Sequence, residues 1–169
     1  MRKVFKSVDT TSEWFGIIAR VFTVALIIVM VTEVTMRYVF NHPTMWAYET
    51  SIMLGCALYA MGFSYVERHN AHVRVDVFYT KLSPRGKAII DVIGGLIVFI
   101  PLIAVVNYAA IGWMIKAWKI KEKMFESFWF PPAYPLRTAV AVGFAMLAIQ
   151  GLVKLSRNVY LMIRNKNYD

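Results

Sequence analysis

The fold class this sequence predicts is an all-α integral membrane protein with four transmembrane helices, and three observations carry that prediction. Hydrophobic residues make up 59% of the 169 residues, against roughly 45–50% in a soluble domain, and mean hydropathy is +0.53. The apolar residues gather into runs at 14–38, 45–66, 88–115 and 136–156, each close to the ~20 residues a helix needs to cross a bilayer. Basic residues fall at the ends of those runs, where lipid headgroups lie. That placement accounts for the net charge of +9 and argues against a nucleic-acid partner, which would need a basic face. The whole chain, 1–169, is expected to form one membrane domain.

The first run has an uncharged heart from Val21 to Thr32, so Arg20 and Glu33 are expected near opposite edges of the membrane. The preceding thirteen residues are polar and no cleavable leader is expected, because the apolar run after them is long enough to remain as a span. In the second run Thr44 reads as an N-cap, and the run from Thr50 to Val66 is free of charge. The third is uncharged from Val92 to Ile115; Ser83-Pro84 reads as N-cap plus first-turn proline, and Pro101 is expected to kink the helix. Asn107 reads as an interhelical hydrogen-bonder. The fourth is uncharged from Thr138 to Val153 and continues as an amphipathic tail towards Ile163. With both termini cytoplasmic, twelve Lys and Arg residues face inward against six outward, so the positive-inside bias favours N-in, C-in.

In that orientation Glu33, Arg37, Glu49 and Arg137 gather near the outer edge. Glu33 and Arg37 share a helix face at i,i+4 spacing. The four charges read either as an interhelical network or subunit interface, or as boundary charges snorkelling to the headgroups. The inner connection, His69 to Lys87, mixes apolar and basic residues and includes His72, Arg74, Asp76 and Arg85. It reads as a segment lying in the membrane interface, although Val73 to Val77 also alternates like a strand. The outer connection, Lys116 to Pro135, is basic first (Lys116, Lys119, Lys121, Lys123), then aromatic, then proline-rich. Its Trp118 and Trp129, with Trp14 and Trp46, suit a headgroup belt; exposed aromatics beside lysines equally suit a docking surface. Small residues (Gly55, Ala57, Ala60, Gly94, Gly95) serve close packing, either within the chain or on a partner.

The residues carry no constellation for catalysis. His42, His69 and His72 lie in connections at opposite faces, which argues against a bis-histidine haem. The single cysteine, Cys56, excludes an intramolecular disulfide or a Cys-based metal cluster. No nucleotide loop or nucleophile pattern appears. No cofactor is expected, and the residues alone read as a membrane subunit without its own active site. Rival readings are a proton-coupled multidrug antiporter acting as a homodimer, which would need an acid deeper than Glu33 or Glu49, and a membrane anchor of a redox enzyme.

The run Arg37-Tyr38-Val39-Phe40-Asn41, followed by Pro43, Trp46 and Glu49, resembles the small (DctQ-like) membrane subunit of tripartite ATP-independent periplasmic (TRAP) transporters. So do His72-Val73-Arg74-Val75-Asp76, Leu82-Ser83-Pro84-Arg85, and the Pro-rich entry to the fourth run with Gly143 and Gln150. Tyr48 departs from the pattern, since many relatives carry a second acid there. The resemblance implies a bacterial inner-membrane scaffold in a 1:1 complex with a large elevator-type membrane subunit, which holds the substrate and sodium sites. It also implies a periplasmic binding protein that delivers an organic anion (a carboxylate, sialic acid or sulfonate). In that setting the four lysines are the expected docking residues.

Overall fold

The computed structural model describes residues 2–69 and 82–164. Among them the chain is helical with no strand. Helix α1 spans Arg2–Tyr38, α2 Ala47–Arg68, α3 Pro84–Gly94, α4 Ile100–Ile120 and α5 Tyr134–Arg164. A π-helical turn, Gly95–Phe99, joins α3 to α4 without a break. Three helical stretches are long and apolar enough to cross a membrane: Lys3–Tyr38, Pro84–Ile120 and Tyr134–Arg164. Helix α2 is not among them, because Glu49, Glu67 and Arg68 and several hydroxyl and small residues dilute its hydropathy.

Local chemistry explains most boundaries. Ser83 caps α3 by accepting from Gly86 N at 3.2 Å, with Pro84 in the first turn. Pro101 lacks an N–H and crowds the preceding turn. The backbone absorbs this immediately upstream, where the Ile100 N–H reaches Gly95 O, five residues back. Where the sequence predicts a kink at the proline, the structure has a π turn just before it. Thr44 does not cap α2: the helix begins after Trp46, which offers no side-chain cap, because Glu33 takes the Thr44 hydroxyl and backbone N–H. Helix α1 starts twelve residues before the apolar run does. Its polar first turns are held by contacts to other helices, not by apolar burial.

The helices are neighbours in the order α1, α2, α5, then α3–α4. Helix α2 lies between α1 and α5, and α5 packs against both α2 and the α3–α4 rod. Helices α1 and α4 are not packed side by side, so the arrangement is an open row and not a closed bundle. The close approaches use small residues. Ala57, Ala60 and Ser64 of α2 and Ala141, Gly143 and Gly151 of α5 are buried, and a Cβ on Gly143 would lie 2.6 Å from the Ala60 carbonyl carbon. Gly55, Gly94 and Gly112, by contrast, face open space. The expected small residues therefore divide, some packing the chain's own helices and some lying on its free faces. Asn107 donates to Phe144 O at 3.3 Å, tying α4 to α5.

An open row leaves long apolar faces uncovered. On α1 they include Ile17, Val21, Val24, Ile28 and Val31, and on the α3–α4 rod Ile93, Ile97, Leu102 and Val105. Exposed apolar surface of this extent belongs in lipid or against a partner.

Candidate functional site

The charged residues form two rims, one at each end of the row. At the end with the chain termini, Asp9 joins three helices. Its carboxylate accepts from Arg157 of α5 at 2.7 Å and from Gln150 Nε2 at 3.0 Å, and Arg68 of α2 is 4.0 Å away. Ser12, one turn on, donates to Gln150 Oε1 at 3.0 Å, and both residues are buried. Glu13 pairs with Arg68 at 2.5 Å and with His69 at 3.3 Å. Glu67 pairs with Lys154 at 2.9 Å, and Asn158 donates to Asp91 of α3 at 3.3 Å. This rim locks α1, α2, α3 and α5 together.

At the opposite end lie the short turn 39–46 and the longer loop 121–133. Glu33 and Arg37 pair as their spacing predicts, and Glu33 also holds Thr44, closing the turn between α1 and α2. A groove of about 540 Å³ opens beside this pair, lined by Met30, Val34, Tyr38, Tyr48 and Ile52. Arg137 turns instead to Glu122 at 3.2 Å and lies over the Trp113 ring at 5.6 Å. Among the described residues Glu49 meets no cation: it is 0% exposed and accepts from Ser127 N at 2.9 Å, while its other oxygen has no hydrogen-bond partner among them. The four expected outer charges therefore fall into three separate contacts within the chain. Glu49 is buried, with the Ser127 backbone N–H of the loop as its partner.

The loop is shaped by those contacts. Lys121 ends α4 in a left-handed conformation, φ 48°. Lys123 bridges to Pro132, with Met124 N to Pro131 O at 2.9 Å and Ala133 N to Glu122 O at 2.8 Å. Ser127 is the point at which Glu49 grips it. Phe125 and Phe128 project from its tip, 77% and 86% exposed. Lys116 and Lys119 lie on α4, with Lys121 and Lys123 in the loop; all four are at this end, and Lys116 alone lines a cavity with Arg137. Trp46, Trp118 and Trp129 are exposed at the same end and Trp14 at the other. Trp118 donates to Thr138 Oγ1 at 2.8 Å. Arg85 sits in the first turn of α3; His72, Arg74 and Asp76 lie outside the described residues.

The spacing between rims is similar on α1, α2 and α5, and on the α3–α4 rod the interfacial Trp113 marks the edge at the loop end. At ~1.5 Å per residue, Glu13 to Glu33 is ~30 Å along α1 and Glu49 to Glu67 is ~27 Å along α2. By the same ~1.5 Å rise, Asp91 to Trp113 is ~33 Å and Arg137 to Lys154 is ~26 Å. A hydrocarbon core is ~30 Å thick. The charge between the rims is Arg20, exposed on α1 and folded back to Gly16 O at 3.3 Å, as a snorkelling side chain would be.

The rim at the termini is what sequence reasoning missed. Its signal was present: Asp9, Ser12 and Glu13 share one helix face, and Gln150, Lys154 and Arg157 share another. Among the described residues no group of His, Cys, Asp and Glu has the arrangement to hold a metal. The family model for the DctQ component of tripartite ATP-independent periplasmic transporters matches residues 26–160. Comparison with curated proteins gives no match.

Proposed function

The chain belongs to the DctQ-component family of the tripartite ATP-independent periplasmic transporters, and from that premise we propose that it is the static brace of a sodium-driven importer of an organic anion. It is a multi-pass membrane protein and a transporter component, not an enzyme. The observation that carries the brace reading is the pair of charged rims, ~26–30 Å apart on α1, α2 and α5, with apolar faces open between them. A frame that must resist tilting while a neighbour moves needs anchors at both interfaces. The similar spacing on α2 supports a fourth span despite its lower hydropathy, and the surplus of basic residues at the end with the termini supports N-in, C-in.

In this reading the chain sits in the bacterial inner membrane in a 1:1 complex with the large membrane subunit. That subunit carries the substrate and sodium sites. The open apolar faces, with Gly55, Gly94 and Gly112, are the surfaces available to it, and the groove beside Glu33 and Arg37 is a second contact. A periplasmic binding protein brings a carboxylate, sialic acid or sulfonate and docks on the loop end, steered by Lys119, Lys121 and Lys123 with Lys116 behind them.

Purification of the chain from its native membrane in mild detergent, with mass spectrometry of what accompanies it, tests the proposal. One large polytopic protein in equal amount is the expected result. Recovery only as a homo-oligomer would overturn the brace and favour an antiporter.

A further inference from the structure

At the loop end, a cavity of about 240 Å³ opens between the last turns of α4 and the first turn of α5, lined by Trp113, Lys116, Ile120, Glu122 and Arg137. We propose that it seats the phosphate of an anionic phospholipid from the leaflet at this end. The inference rests on the membrane-crossing part of the reading above, whichever leaflet this is.

The charge balance fits a phosphodiester. Lys116 and Arg137 contribute two positive charges and Glu122 removes one, leaving a single positive charge for a group that carries a single negative one. The Arg137–Glu122 pair at 3.2 Å also orients the guanidinium, which has five N–H donors and so keeps others for an incoming oxygen. Lys116 is exposed and makes no ion pair with the described residues. Its ammonium has three donors and a flexible stem that can reach across the cavity.

The walls fit the rest of the lipid. Trp113, Lys116 and Ile120 share one face of α4, and both apolar members are more than half exposed. Leu102, about three turns earlier on that face, is exposed as well and continues the track for an acyl chain. Trp113 lies ~33 Å from Asp91 along the rod, at the second edge of the hydrocarbon, and Lys116 is one turn further out. Cations at headgroup depth above an aromatic and aliphatic track match the amphipathic order of a phospholipid. A soluble anion would use the cations alone.

The test uses the full chain as purified from its membrane. Flotation with vesicles after an alkaline wash is read first, and failure there refutes the membrane-crossing reading itself. Native mass spectrometry then follows adducts of phosphatidylglycerol on the wild type, Lys116→Gln and Lys119→Gln, with glycerol phosphate as the soluble competitor. Lys116→Gln should weaken phosphatidylglycerol binding about tenfold, the loss of one direct hydrogen bond between charged groups, while Lys119→Gln, outside the cavity, leaves it unchanged. Equal effects of the two variants, or none from Lys116→Gln, would overturn the site. Displacement by glycerol phosphate at equal concentration would show a soluble-anion site and overturn the lipid assignment.

Discussion

Gly143 offers the sharpest test of the row of helices. A Cβ there would lie 2.6 Å from the Ala60 carbonyl carbon and nearer still to its oxygen, so the obstacle is backbone and cannot rotate away. Gly143→Ala must push α2 and α5 apart along their contact. Overpacking of this kind costs about 2–3 kcal/mol, and exchanging glycine for alanine within a helix returns about 1 kcal/mol. The net loss is about 1–2 kcal/mol, a fall in Tm of roughly 2–8 °C for a chain of this size. Gly112→Ala is the control, because Gly112 is also within a helix yet has nothing within 4 Å of the added Cβ. It keeps the propensity gain without the clash, so its Tm should stay level or rise by a few degrees. Thermal unfolding of the two variants in one detergent, followed by the loss of the monodisperse peak, measures the difference directly. A Gly143→Ala chain as stable as wild type would mean that α2 and α5 do not approach as described, and the row would have to be redrawn.

Three further outcomes follow from the rims. Asp9→Asn removes the counter-charge of Arg157 and Arg68, partly buried groups intermediate between the exposed and buried cases, so a loss of about 1–3 kcal/mol is expected; an unchanged Tm would mean the pairing contributes no stability. Glu49→Ala removes the acceptor of the Ser127 N–H and should speed tryptic cleavage at Lys121 and Lys123 about tenfold, the effect of losing a charged hydrogen bond. Glu49→Gln keeps that acceptor and should leave the loop nearly as resistant, and equal cleavage of the two variants would refute the latch. Charge reversal at Lys119, Lys121 and Lys123 should slow binding-protein-dependent uptake about tenfold at low salt and less at high salt; unchanged low-salt uptake would remove the docking role.

How much was legible in advance differs by kind of feature. The Ser83-Pro84 start of α3, the disturbance at Pro101 and the Glu33–Arg37 pair depend on residues within a turn or so of one another, and spacing along the chain is enough to read them. Thr44 looked like a cap by the same local logic. It failed because Glu33, eleven positions earlier in the chain, competes for its donors. Glu49 was visible as an acid inside an apolar run. Its partner, Ser127, is seventy-eight positions away and no local spacing indicates it.

The polar start of α1 shows the same divide. Asp9, Ser12 and Glu13 read only as part of a polar start, because their partners on α2 and α5 are far away along the chain. They become the centre of a rim only once α2 and α5 bring Arg68, Gln150 and Arg157 alongside. The sequence by itself determined that the chain lives in a membrane, where its apolar runs lie and which family it resembles, because hydropathy, end charges and short motifs are properties of position along the chain. Only the tertiary structure decided that the helices stand in an open row, which small residues pack inward, and which charges meet. Those outcomes depend on the register and crossing of helices far apart in sequence, where a shift of one residue turns each side chain by about 100° onto another face.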